Sequence, residues 1–120
     1  MNDLRMKRVE SLIREQVSFL IMMGELKDPR INSMLSITTV KVANDLSSAK
    51  LLVSSLEGEA KLAKSVKALN HAAGFIQNRI GRKLGLRQTP HLLFVEDTTV
   101  KDSVALNMKI DSLIHDNGEK

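Results

Sequence analysis

Two hydrophobic periods alternate along this chain, and their order leaves few ways to fold it. From about residue 3 to 23, Val9, Leu12, Ile13, Val17 and Leu20 recur at three- and four-residue steps. That spacing places them on one face of a helix. Asn2 or Asp3 can cap its start, and Gly24 suits the left-handed position after its end. Lys27-Asp28-Pro29-Arg30 reads as a turn, because proline restricts both itself and its predecessor. The period then drops to two. Leu35 to Ala43 is rich in Ile, Thr and Val, and in Ala49 to Ser55 the residues Ala49, Leu51 and Val53 share one face. Asn44-Asp45-Leu46-Ser47 supplies turn chemistry for a hairpin between these strands. The first run changes phase between Ile37 and Val40, which predicts a bulge or partial two-sided burial.

A helical period returns over residues 59–72. At about 100° per residue, Leu62, Val66, Leu69 and Ala73 fall within about 60° of one another. Ile76, Ile80 and Leu84 mark a second short helix, which Gly85 is placed to end and Thr89-Pro90 cannot continue. His91 to Glu96, with Leu92-Leu93-Phe94-Val95 inside, reads as a buried third strand. Thr99 followed by Asp102 resembles a capping box and predicts a last helix to about Ile114, with residues 116–120 expected to fray. The order helix, strand, strand, helix, helix, strand, helix predicts an α+β fold whose helices cover one face of a three-stranded sheet. With 120 residues, no internal repeat and no low-complexity linker, residues 1–120 are expected to form a single domain.

Charge is distributed unevenly over this plan. Residues 60–95 hold seven bases (Lys61, Lys64, Lys67, Arg79, Arg82, Lys83 and Arg87) and no acid. Residues 1–59 carry eight bases against eight acids, and residues 96–120 carry three against six, so the net charge of +4 originates in the middle segment. A field of one sign attracts polyanions, and nucleic acid is the expected partner. At the centre of the basic segment lies Ala72-Ala73-Gly74. Glycine inside a helix costs about 1 kcal/mol relative to alanine. It is tolerated in one long helix, or it is a simple helix C-cap, or it marks a kink where two helices cross closely and the second offers free N–H groups to a phosphate.

Beyond the kink, Phe75, Arg79 and Arg82 follow at i, i+4 and i+7, with Lys83 beside them. Because a merely solvated face normally mixes both signs, this stripe is read as a nucleic-acid contact. Lys61, Lys64 and Lys67 spread around the side of the first helix opposite its core, where a solvated face is an equal reading. Arg5, Lys7, Arg8 and Arg14 are interleaved with Glu10 and Glu15 and are mostly read as solvated, with Arg5 and Arg8 kept as candidates. Three Phe and no Trp or Tyr argue against single-strand readers built on aromatic platforms, so backbone and shape recognition is expected.

Other function classes have little support. There is no cysteine for a disulfide or thiolate zinc site, which fits a reducing cytosol. His71, His91 and His115 lie far apart, and no phosphate-loop or nucleophile-elbow pattern occurs. No enzyme activity, metal or cofactor is expected. The longest apolar run, Phe19 to Met23, is far short of the ~20 residues of a membrane span. The charged N-terminus lacks the apolar core of a signal peptide. A soluble cytoplasmic protein is expected.

The chain resembles the bacterial ribosome-binding factor A family over nearly its whole length. The resemblance lies in Arg8-Val9, Leu26-Lys27-Asp28-Pro29-Arg30, Asp45-Leu46-Ser47-Ser48-Ala49-Lys50, Leu69-Asn70-His71-Ala72-Ala73-Gly74-Phe75-Ile76, Leu84-Gly85-Leu86-Arg87-Gln88-Thr89-Pro90 and Leu92-Leu93-Phe94. It implies a type II KH-like fold in which an Ala-x-Gly kink, here Ala72 to Gly74, replaces the GxxG loop. Binding to the small (30S) ribosomal subunit and its 16S rRNA precursor is also implied. So are assistance to late maturation including 5′-end processing, a link to growth in the cold, and a monomer when free. Candidate RNA contacts are then Ala72, Ala73, Gly74, Phe75, Asn78, Arg79, Arg82, Lys83 and Arg87, with Lys64, Lys67, Arg5 and Arg8. Some family members have a longer C-terminal extension, whereas this chain ends in Asp116-Asn117-Gly118-Glu119-Lys120. The rival reading is a small α+β regulatory or protein-interaction module with an incidental basic face, using the exposed sheet face or Phe75.

Overall fold

The computed structural model describes residues 3–85 and 88–97. Helix α1 (Asp3–Met22) leads into strands β1 (Leu35–Val42) and β2 (Ser48–Ser55), helices α2 (Glu59–His71) and α3 (Ala73–Leu84), and strand β3 (His91–Glu96). The expected last helix and Arg87 lie outside the described residues.

Helix α1 buries Ile13, Val17, Leu20 and Ile21, and half-buries Met6 and Val9. Leu12, read from the sequence as part of this face, is 37% exposed. At about 100° per residue it sits about 100° away from Ile13, on the flank that turns from the sheet toward solvent. The helix ends as its glycine requires. Gly24 takes φ 67°, its N–H donates to the Ile21 carbonyl, and the Glu25 N–H donates to the Leu20 carbonyl. This is the paired bonding of a Schellman stop, and it fixes the position of Glu25.

The sheet has the order β1-β2-β3, with β1 antiparallel and β3 parallel to β2. The expected bulge is present, because the β1–β2 register shifts between Ile37 and Thr39. Thr38, the extra residue, hydrogen-bonds the Asp97 carboxylate beyond β3. The hairpin turn closes on Asp45, whose carboxylate accepts from the Ser47 N–H at 3.0 Å and hydroxyl at 2.6 Å and is thereby held below its usual pKa. Strand β3 departs from the expectation of full burial. Leu92 and Phe94 are buried while His91 and Leu93 face outward, because the helices cover only one face of the sheet and alternate side chains point to the other.

All three helices pack on the same side of the sheet, against Leu35, Ile37, Val40, Val42, Ala49, Leu51, Val53, Leu92 and Phe94. Helix side chains also cover both sheet edges. Glu10 of α1 accepts from the Val42 N–H at 2.9 Å. On β3, Gln77 of α3 accepts from the Leu92 N–H at 2.9 Å. The Asn70 amide of α2 accepts from the Phe94 N–H at 2.8 Å and donates to its carbonyl at 2.9 Å. An unpaired strand edge is a template for association. Here the same bonds that occupy the β3 edge tether α2 and α3 to neighbouring points of one strand.

Candidate nucleic-acid interface

The joint between the two basic helices is one residue long. Ala72 (φ −90°, ψ 3°) is both the end of α2 and the start of α3. Its N–H turns back to the Ala68 and Leu69 carbonyls at 3.0 and 3.1 Å, and the first bond of α3 runs from the Ile76 N–H to the Ala72 carbonyl. The break therefore falls at Ala72, two residues before the glycine, and the Ala72 N–H is not offered to a phosphate.

Gly74 lies within the first turn of α3. It does not adopt a left-handed backbone, and among the described residues a Cβ built on it would meet nothing within 4 Å. Close helix crossing therefore does not explain this glycine, and neither does backbone conformation. Gly81 is the opposite case. A Cβ there would come within 2.3 Å of the Thr89 hydroxyl, so its smallness lets the segment before β3 lie against α3.

Helix α3 buries only Ile76 and Ile80, with Leu84 half-buried. Gln77 reaches β3 on one flank. Phe75, Asn78 and Arg82 point outward and are exposed, as is Gly74. On the flank toward α1, Arg79 pairs with Glu25, and its guanidinium carbon lies 5.6 Å from the centre of the Phe75 ring. Both side chains of this pair are 36% exposed, so it adds at most about 1 kcal/mol. Its main effect is to hold the guanidinium in place. Arg79, Glu25 and Lys83 line a cleft of ≈ 90 Å³ with Gln16, Phe19, Leu20 and Ile80.

The remaining candidates are more dispersed. Lys64 and Lys67 are exposed on the outer side of α2, and Arg5 and Arg8 on the outer side of α1. Lys61 is paired with Glu57 at 3.4 Å. Ala72 and Ala73 are half-buried against the core. A roomier cleft of ≈ 300 Å³ lies between α1 and β1 and mixes both signs, with Lys7 and Arg14 beside Glu10. Among the described residues no group of three or more His, Asp or Glu is arranged to hold a metal ion. No described helix is long and apolar enough to cross a membrane.

Three features were absent from the sequence reading. Arg30 forms a two-pronged pair with Asp28, 3.0 Å from Nε and 2.7 Å from a terminal nitrogen. These bonds hold the Asp28 carboxyl down to about 2. The turn is braced on α2, where the buried Ser65 hydroxyl donates to the Arg30 carbonyl at 2.6 Å. Asn70 and Gln77 fix the helices to β3. Phe19 faces the α3 flank. Only Phe19 had a sequence signal: five consecutive apolar residues on a helix, Phe19 to Met23, sweep more than a full turn, so some must face outward.

A family model described as ribosome-binding factor A matches residues 5–114. A ribosome-binding factor A of Treponema denticola is 42% identical over 113 residues, covering 94% of this chain and 86% of that protein. In structure, a Thermotoga maritima protein described as a ribosome-binding factor A gives a TM-score of 0.69 at 29% identity, covering 82% of this chain and 93% of that one. A Thermus thermophilus homology model fitted into a cryo-EM map of a complex between the 30S subunit and this factor gives 0.53 at 21%, covering 72% and 92%. The KH-like arrangement implied by the resemblance is consistent with these likenesses. The chain belongs to the ribosome-binding factor A family.

Proposed function

We propose that this protein is a non-enzymatic assembly factor of the small ribosomal subunit that docks on the 16S rRNA precursor through α3 and the joint before it. The observation behind this reading is Gly74. A glycine in a helix costs about 1 kcal/mol relative to alanine, and among the described residues nothing lies close enough to Gly74 to require it. An external partner that must approach the backbone closely does need it. The surroundings suit such a partner. Phe75 and Asn78 are exposed beside Gly74, Arg82 is exposed two turns further along the same side of α3, Lys83 is exposed on the flank toward α1, and no acid occurs between residues 60 and 95. The relative fitted into a 30S complex supports the identity of the partner.

In this reading Arg82 and Lys83 contact phosphates directly, with Lys64 and Lys67 adding to the field. Four neutralised phosphates give a slope of log affinity against log salt of roughly −3 to −4. By binding an immature conformation more tightly than the mature one, the factor shifts the population toward a state that processing nucleases accept, including at the 5′ end. The work is then cytoplasmic and needs no cofactor. Filter binding to purified small subunits across a salt series tests the proposal. Arg82→Glu with Lys83→Glu is expected to reduce affinity by about 10- to 100-fold and to flatten the salt slope. Affinity insensitive to both salt and charge reversal would instead indicate a protein-interaction module, and such a module would stay at the top of a gradient of cell lysate.

A further inference from the structure

The protein has three aromatic side chains, all Phe. Phe94 is in the core at 1% exposure, whereas Phe19 and Phe75 are 44% and 48% exposed. Both outer rings border the same cation. Phe75 lies against the Arg79 guanidinium, and Phe19 lines the ≈ 90 Å³ cleft that Arg79 and Lys83 share with Gln16 and Glu25. Two exposed phenyl rings, Phe19 on α1 and Phe75 on α3, 56 positions apart in the chain, thus lie near one guanidinium, Phe75 at 5.6 Å from it and Phe19 in the wall of the same cleft.

We propose that Phe19 and Phe75 form a stacking site for unpaired RNA bases, with Arg79 as the fixed plane between them and Lys83 holding the adjoining phosphate. The proposal rests on the RNA-binding reading above and specifies which part of the RNA is held. Aromatic faces interleaved with cations are the pattern of single-strand binding, since every base offers a π-face and every nucleotide a charge. A protein partner seeking an apolar patch would meet Arg79, Lys83, Glu25 and Gln16 in the wall of the cleft beside Phe19. The cleft is small, ≈ 90 Å³, and in this reading bases lie across its mouth on the rings. Glu25 offsets the charge of Arg79, which leaves Lys83 as the cation of the cleft for a phosphate. The low aromatic count, which argued against stacking, is outweighed by the placement of the two rings.

Because the chain has no Trp, Phe19→Trp and Phe75→Trp each install a single emitter at the site. The probes are an eight-nucleotide single-stranded oligoadenylate and an inorganic polyphosphate of matched charge. Saturable quenching by the oligoadenylate and none by polyphosphate is expected. Phe19→Leu and Phe75→Leu should each weaken oligoadenylate binding about 5-fold with the thermal midpoint retained. Equal quenching by polyphosphate overturns the proposal. So does salt-dependent oligoadenylate binding with unchanged emission and Leu variants that bind like wild type, an outcome that leaves the phosphate-contact reading standing. Emission that responds to RNA-free ribosomal proteins and not to RNA overturns stacking in favour of a protein contact. Wild-type protein that binds neither the oligoadenylate nor the small subunit defeats this proposal and the RNA-binding reading together.

Discussion

Helices α2 and α3 are both basic, nearly equal in length and joined through one residue, yet they make different use of their surfaces. Helix α2 buries Leu62, Ser65, Val66, Ala68 and Leu69, and the Arg30 turn is braced against it. Its lysines lie on the side left over. Helix α3 buries Ile76 and Ile80 alone, accepts a glycine in its first turn, and leaves Phe75 half exposed. Equal charge therefore does not mean equal role. In the proposed reading α2 is mainly scaffold with a solvated lysine face, whereas α3 gives up packing to present Arg79 and Arg82.

Substitutions on the two helices should break this comparison in different ways. Leu69→Ala, which opens a cavity under α2, is expected to cost about 2–5 kcal/mol in a urea melt. Its effect on subunit binding should follow from the folded fraction alone. Arg82→Glu with Lys83→Glu should leave the melt within about 0.5 kcal/mol while reducing affinity as stated above. Lys64→Glu with Lys67→Glu, the matched reversal on α2, should lower affinity by less than about 5-fold, through the long-range field. A loss equal to that on α3 would erase the distinction. Asn70→Ala removes the bonds that tie α2 to Phe94 and should destabilise by about 1–3 kcal/mol. Amide exchange on β3 would report it locally.

The smallest effect belongs to the turn braced on α2. Bonds from Arg30 lower the Asp28 pKa from 3.8 to about 2. Because the folded value lies below the unfolded one, the turn adds stability at neutral pH that is lost as the pH falls from about 4 toward 2. Asp28→Asn should remove that part of the acid dependence. Melts at pH 7 and pH 3 would show a smaller difference than in wild type.

Local chemistry made much of this structure legible in the sequence. The β1 bulge showed in the phase change after Ile37, the stop of α1 in Gly24, and the third strand in a span matching His91–Glu96. Features that depend on distant neighbours were not legible. Leu12 fits an apolar stripe, but the sheet meets α1 about Ile13, Val17 and Ile21. Leu93 belongs to an apolar run, but it points to the face of the sheet that the described helices leave uncovered. Arg79 read as a phosphate contact because Glu25, its partner, is 54 positions away. The glycine was visible, but only the structure shows that none of the described residues crowds it.

Gly74→Ala therefore tests the central claim most directly, by measuring thermal midpoint and small-subunit affinity on the same preparation. Filling open space on a helix with a better helix former should stabilise by about 0.5–1 kcal/mol, a rise of a few degrees, and affinity should fall at least several-fold. A midpoint that drops would show that the glycine serves the fold, and affinity that holds would show that nothing approaches the backbone there. Either result would contradict the account.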